Sequence, residues 1–441
     1  MPRIRYAVGA DMERYPVLTA DGRVESYVIS SVEFSVIFDT QGRGRSFMWI
    51  DTERAIEVTP FVDRGVLRLG GVAIEYARLV EDIPWPLVYV ARSFKRYVDW
   101  VAERYGAMLK GKSVVVNYSG GKDSTSVMAV MAALRERVDF ELRAIYSYVP
   151  YLEPPRNVDF VERASKALGV EVDIVEANRE LMRKRLLEDG MPYRGKRWCT
   201  YMKLRPIKDA KKLRRQDVTA DGDRLTEALK RFARLYQMSP QKPKLYDGGG
   251  RIRPIYVWTL LDIAANVRKL GLVHPDYYEG LPRVACMVCP YKALHEFSEK
   301  QLDLLEDPGL VESAIRRSYE RYYAGMGIEW EEFRSQHLWR HHPVVAKKLI
   351  EAKRELTKLA EREELETVSK DRVDAMFKSL WTNPLPEAPE IDPDDSVRVI
   401  GSVVEEAYKR ALQLSSEATK IVMAERGLEL DEPIGCACGS V

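Results

Sequence analysis

The stretch Val114-Val-Val-Asn-Tyr-Ser-Gly-Gly-Lys-Asp-Ser-Thr125 constrains the fold more than any other part of the chain. A β-branched run ends in Ser119-Gly120-Gly121-Lys122-Asp123-Ser124, and a helical pattern begins at once. Two glycines allow a tight turn and a close backbone approach, while the first amides of the following helix point unpaired at whatever sits there. That is a site for phosphate. It is neither a Walker loop, because Asp123 stands where a Ser or Thr is needed after Lys122, nor a dinucleotide GxGxxG.

From this loop onward, strand and helix patterns alternate. Strands are expected at 114–118, 142–149 and 171–175, with helices at 123–137, 157–168 and 178–188. Apolar strands separated by amphipathic helices imply right-handed βαβ units and a Rossmann-like parallel sheet, covered on both faces, with its ligand beyond the carboxyl ends of the strands. Tyr146-Ser-Tyr-Val-Pro-Tyr151 then forms a neighbouring wall for adenine or ribose, or is simply a strand end rich in tyrosine. A short strand at 217–219, a helix over 223–237 and a mobile Pro/Gly-rich loop over 239–254 follow.

Three segments are expected: a β-rich module over 1–90, the α/β domain over 91–295 and a helical region over 296–441. The first alternates short strands, such as Glu33-Phe-Ser-Val-Ile-Phe38 and Pro86-Leu-Val-Tyr-Val90, with turns. Arg43, Arg45, Phe47 and Trp49 near one turn give it an RNA-binding or substrate-presenting reading beside a purely structural one. The last has helical patterns over 296–306, 309–323, 344–366 and 396–426, with His337-Leu-Trp-Arg-His-His342 either a metal cluster or a solvated or nucleic-acid-facing helix end.

With Lys+Arg of 69 against Asp+Glu of 67, the chain as a whole does not steer an anionic partner, so a local patch must hold one. No apolar stretch of about 18 residues suggests a membrane span, and the first residues lack a signal peptide's apolar core, so a cytoplasmic protein is expected. In a reducing compartment five cysteines, clustered as Cys199, Cys286 with Cys289 and Cys436 with Cys438, point to metal or redox chemistry over disulfides.

The loop resembles the SGGxDS loop of the PP-loop ATP pyrophosphatases, the adenine nucleotide α-hydrolases. With Lys196-Arg-Trp-Cys-Thr-Tyr-Met-Lys-Leu-Arg-Pro-Ile207, Arg253-Pro-Ile-Tyr-Val-Trp-Thr-Leu-Leu-Asp262 and Gly280-Leu-Pro-Arg-Val-Ala-Cys-Met-Val-Cys-Pro290, the order of four elements over about 95–295 resembles the phosphoadenosine phosphosulfate (PAPS) reductase family. The resemblance implies a PP-loop fold and a metal site on Cys199, Cys286 and Cys289. Thr200 replaces a second cysteine, so the fourth ligand is open: Cys436 or Cys438, an open iron of a [4Fe–4S] cluster, or His295 around zinc.

An intact loop resembles enzymes that cleave ATP itself. Ser119, Gly120, Gly121 and Ser124 then hold pyrophosphate and Asp123 binds Mg²⁺ directly or through water, with Lys122 adding charge or facing solvent. Lys203 and Arg205 are candidates for nucleotide phosphate or a nucleic-acid backbone, while the basic residues after Lys208 are as readily a solvated face. The implied activity is ATP-dependent sulfur transfer to a nucleic acid such as tRNA from a sulfur donor. The alternatives are a sulfonucleotide reductase, served by a thioredoxin-like reductant, with Cys438 or Cys436 as nucleophile, and a nucleic-acid-binding protein whose nucleotide site is regulatory.

Overall fold

A computed structural model describes residues 3–5, 13–75, 85–228, 231–232, 235, 246–247, 250–424 and 429–430. Its centre is a six-stranded sheet in the order Glu171–Glu176, Glu141–Tyr148, Ser113–Tyr118, Val218–Ala220, Arg251–Ile252 and Tyr246–Asp247. All neighbours are parallel except the last pair. The chain runs outward from Ser113–Tyr118 through the first two strands and then crosses to its other side. The strand before the phosphate loop is therefore the one at which the order reverses, where a crevice opens beyond the strand ends.

Alternation along that strand assigns its two faces. Val114, Val116 and Tyr118 pack with residues of the helices Phe94–Leu109, Lys122–Arg135 and Arg156–Leu168. Val115 faces the opposite way, onto Ile145 and Ile207 of the helix Trp198–Arg214. Burial on both faces explains the unbroken valine run, and each such side chain contributes about 1.5–3 kcal/mol. The three strands expected over 114–175 and the three helices expected over 123–188 begin and end within two residues of those limits.

Elsewhere the expectations need correction. Residues 221–224 carry no helix and 225–227 form a turn, so the helix expected from 223 starts later; 231, 232 and 235 are helical. The chain is drawn across the phosphate loop instead, with Gly222 so close that an added Cβ would lie 3.4 Å from Asp123. Within 239–254, the paired strands Tyr246–Asp247 and Arg251–Ile252 extend the sheet, while 236–245 and 248–249 lie outside the described residues. At 86–90 there is only a bridge from Tyr89 to Glu390. The helix expected over 296–306 shrinks to Glu299–Leu302, and Lys370–Thr382 is a helix that no pattern announced.

The N-terminal strands form an antiparallel sheet ordered Thr367–Ser369, Arg54–Glu57, Gly44–Trp49, Phe34–Phe38, Val24–Ser31 and Tyr15–Leu18. Its outermost strand comes from the C-terminal part of the chain. Val345, Leu349, Ala352 and Leu356 of the helix Pro343–Ala360 share its core with Phe34, Met48 and Ile56. The three-part division is thus a proposal about sequence segments, whose first and last parts interleave in space. Among the described residues no helix is long and apolar enough to cross a membrane.

Candidate nucleotide site and cysteine turn

At the end of Ser113–Tyr118 the chain reverses through Gly120, whose φ of +74° lies in the left-handed region that suits glycine. The helix Lys122–Arg135 starts at once without a side-chain cap. The loop is held by its own hydroxyls: Ser119 Oγ and Ser124 Oγ are 3.0 Å apart, and the Ser119 amide donates to Ser124 Oγ at 3.2 Å. From outside the loop, the Lys122 amide donates to the Tyr277 hydroxyl at 2.9 Å. The turn is built before any ligand arrives.

Four charged side chains close its floor. Lys122 Nζ lies 2.9 Å from Asp123 Oδ2 and 4.0 Å from Glu13 Oε2, with the Tyr15 ring centre at 5.6 Å. Arg224, fully buried, donates through Nε to Asp123 Oδ1 at 2.6 Å, through Nη2 to Glu13 Oε2 at 2.7 Å and through Nη1 to Glu13 Oε1. Burial opposes ionisation of Asp123, but Arg224 and Lys122 together hold its carboxyl well below the usual range. Burial likewise opposes the Lys122 cation, and Asp123 with its neighbours outweighs that and holds it charged. Burial also pushes the Tyr277 phenol up to about 12, which keeps its proton in place.

Two expectations change here. Lys122 turns inward and not to solvent. Both Asp123 oxygens already accept from cations, which disfavours direct Mg²⁺ ligation and leaves contact through water as the other expected mode. Glu13, Tyr15, Arg224 and Tyr277 were missed. Arg224 lies at the start of the helix expected over 223–237, and Glu13 precedes the strand Tyr15–Leu18, which gave no alternating signal.

The neighbouring wall is more structural than its tyrosines suggested. The buried Glu153 accepts from the Tyr146 hydroxyl and from Asn157 Nδ2 at 2.9 Å, while Tyr148 donates to Glu306 at 2.5 Å. On the other side of the loop strand, Asp221 accepts from Asn117 Nδ2 at 2.5 Å and Arg251 Nη1 at 3.2 Å. Asp262, the end of the third motif, caps its own helix and takes the amides of Val90 and Ala91 at 2.8 Å each. It anchors the entry to the domain.

The cysteine motifs are brought into one region. Cys199 lies in the first turn of Trp198–Arg214, and burial pushes its thiol up to about 11 against the opposing pull of Arg197. The turn carrying Cys286 and Cys289 closes through the Cys289 amide on the Cys286 carbonyl at 3.1 Å. Tyr291, just beyond, takes the guanidinium of Arg194 at 4.6 Å and of Arg197 at 4.8 Å over its ring, so the two motifs are joined by a cation–π stack. Cys199 and Cys286 border one apolar cluster with Met202 and Met287.

Three soft thiols suit a cluster or zinc by chemistry, but among the described residues no three His, Cys, Asp or Glu side chains converge on one metal position. The arrangement therefore does not fit a closed metal site. His295, the zinc candidate, is fully buried elsewhere: it pairs with Asp374 at 3.0 Å and stacks on Trp49 at 4.8 Å. Cys436 and Cys438 lie outside the described residues. The 337–342 cluster divides: His341 is buried and bonds Glu33 at 2.9 Å, His337 is stacked on Phe297 at 4.4 Å, and only His342 is an exposed helix end, capping Pro343–Ala360. Lys203 sits on the sheet side of its helix, where its carbonyl accepts from Ser147 at 2.9 Å; Arg205 is exposed on the far side.

A glycine-turned loop at the switch point of a parallel sheet, feeding a helix start, defines a PP-loop α/β nucleotide-binding domain. Residues 113–292 match the phosphoadenosine phosphosulfate reductase domain. Among curated relatives, the tRNA-cytidine(32) 2-sulfurtransferase of Dechloromonas aromatica (strain RCB) is 31% identical over 86 residues, covering 20% of this chain and 30% of the relative. The tRNA-cytidine(32) 2-sulfurtransferase of Cupriavidus metallidurans is 26% identical over 192 residues, covering 42% and 58%. The chain thus spans less than two thirds of the length of either relative. The solved U34-tRNA thiolase NcsA from Methanococcus maripaludis, with its [4Fe-4S] cluster, aligns at 16% identity and a TM-score of 0.32 over 62% of this chain and 81% of that one.

Proposed function

We propose that this chain uses ATP to activate a base oxygen of an RNA such as tRNA and replaces that oxygen with sulfur. The observation that carries this reading is the complete, preformed Ser119–Ser124 loop at the sheet's switch point. A loop of this kind suits a departing pyrophosphate, held by the backbone around Gly120 and Gly121 and by the Ser119 and Ser124 hydroxyls. The names of the curated relatives support the acceptor.

In the first step the base carbonyl oxygen attacks the α-phosphorus of ATP, the bond to the bridging oxygen breaks and pyrophosphate leaves. In the second a hydrosulfide-class donor attacks the activated carbon, loses its proton and expels AMP, leaving C=S; no electron is transferred. Lys122 is the cation nearest the leaving group, held in place by Asp123 and Glu13. Cys199, Cys286 and Cys289 are the proposed sulfur-handling thiols. A [4Fe–4S] cluster on them, or zinc, is the metal proposal; among the described residues the thiols do not converge, and neither step requires it.

The family match favours a second reading, in which Cys438 or Cys436 attacks the sulfur of PAPS or adenylylsulfate, the S–O bond breaks and the nucleotide leaves, and a thioredoxin-like dithiol then cleaves the resulting S-sulfocysteine to sulfite, ending as a disulfide. Purified chain given ATP and a tRNA fraction is expected to release pyrophosphate in an RNA-dependent manner, and Gly120→Val is expected to abolish it. Sulfite from PAPS with thioredoxin, and no pyrophosphate with any RNA, would establish the second reading and overturn the first.

A further inference from the structure

We infer that the outer face of the helix Trp198–Arg214 is an RNA-docking surface, a conclusion that rests on RNA being the acceptor. At 100° per residue, Tyr201, Arg205, Lys208 and Lys212 fall within about 60° of one another, on the side opposite the apolar residues that pack on the sheet. All four are exposed, and Tyr201 keeps 62% of its surface. Arg215 continues the line just past the helix end. Over the whole helix, six Lys and Arg face a single acidic residue, Asp209.

A charged helix face is usually no more than a solvated one, and ion pairing distinguishes the two here. Arg214 of the same helix turns to the sheet edge and pairs with Asp173 at 2.7 Å; Arg143 and Arg179 nearby pair with Glu171 and Glu306. Among the described residues Arg205, Lys208 and Lys212 make no ion pair, so the positive potential is left unspent along one stripe. In a chain whose charges otherwise nearly cancel, such a stripe is complementary to an anionic partner.

The pattern suits RNA better than an acidic polypeptide, because an exposed tyrosine heads the row of cations. Stacking on an aromatic ring combined with phosphate contacts is how single-stranded nucleic acid is held without sequence readout. From Tyr201 to Lys212 the helix rises about 17 Å, the length of roughly five nucleotides. The stripe also leads to the proposed chemistry. Cys199 lies two residues before Tyr201 on the inward side of the same first turn, and the Ser147 hydroxyl pins the helix to a central strand through the Lys203 carbonyl. A strand docked on the stripe has its end beside the cysteine turn.

The test is binding of a labelled tRNA fraction to the full chain over a salt series, with polyglutamate as the competing acidic probe. For Lys208→Ala/Lys212→Ala the slope of log affinity against log salt is expected to flatten by about 1.4, two lost phosphate contacts at about 0.7 each. Tyr201→Ala is expected to weaken tRNA binding by about five- to a hundredfold and leave polyglutamate binding unchanged. Circular dichroism and ATP binding, unaltered in both variants, exclude misfolding. An unchanged slope and affinity in both variants would overturn the docking surface, and so would equal losses for polyglutamate, which would assign the stripe to an acidic protein. If tRNA binds through the stripe yet no pyrophosphate is released, the surface stands and the sulfur-transfer reading falls; RNA-dependent pyrophosphate release that ignores the stripe variants is the reverse.

Discussion

Two buried ionic clusters tie the N-terminal strands to the rest of the chain, and they differ in what they enclose. Around Glu33 gather Arg340, Lys353 Nζ at 2.6 Å and His341 Nε2 at 2.9 Å, all sealed within the protein. Around the phosphate loop, Glu13 and Asp123 balance Arg224 and Lys122. Both look alike as inventories of charge. The second is a candidate site because two of its members are residues of the loop itself, at the carboxyl end of a parallel strand, whereas the first joins the turn at Val32–Glu33 to a helical segment with no such opening. Buried charge marks a junction, and only topology decides whether the junction can also bind something.

The largest expected effect separates the two. Glu33→Gln leaves Arg340 and Lys353 buried without their counter-charge and is expected to cost about 3–5 kcal/mol of stability by urea unfolding. ATP affinity of the folded variant is expected to be unchanged. Burial opposes ionisation of Glu33, but Arg340, Lys353 and His341 outweigh it and hold the carboxyl below its ordinary 4.5. Its contribution is therefore full above pH 4.5 and is lost as pH falls through the lower native value, so the variant is expected to lack that acid limb. A shift in ATP affinity matching that of the loop-cluster variant below would show the two junctions to be coupled and end the contrast.

Much of the site's frame was legible because it is local. The valine run, the double glycine and the helix start occupy adjacent positions, and strand and helix periods read directly from sequence. Glu13 and Arg224 were not legible, since their meaning lies in meeting 211 residues apart in sequence. A helix was expected from 223; here Asp221 and Asp223 are drawn into ion pairs with Arg251 and Arg253, and 221–224 carry no helix. Thr367–Ser369 was passed over because three residues make no periodic signal, and its partner strand lies some three hundred positions away. The three cysteine positions were evident from motif order, but that they do not converge on one metal position was not.

A smaller effect tests the loop cluster. Glu13→Gln keeps the shape of the side chain and one oxygen for Arg224, so the stability loss is expected to be about 1–3 kcal/mol. It also removes a negative charge from beside the phosphate loop. ATP is expected to bind more tightly, by roughly tenfold or about 1.4 kcal/mol, as judged by calorimetry at low salt, with the gain shrinking as salt rises. Weaker binding would mean that Glu13 positions Arg224 for the ligand and does not oppose it, which would turn the cluster from a neutralised floor into an assembled receptor.

The smallest change sharpens the same point without altering charge. Tyr277→Phe removes the hydroxyl that accepts the Lys122 amide at 2.9 Å but keeps the ring stacked on Trp381 at 4.5 Å. Loss of one hydrogen bond is expected to cost about 0.5–1.5 kcal/mol in stability. The freed amide belongs to the first turn of the loop helix, where an anion is the natural replacement acceptor, so ATP is expected to recover part of that cost on binding. The predicted signature is a variant that melts lower when free yet gains more from added ATP than the wild type does, measured as the ligand-induced rise in midpoint. An equal rise in both proteins would place the phosphate away from the Lys122 amide and confine it to Gly120, Gly121 and the two serines.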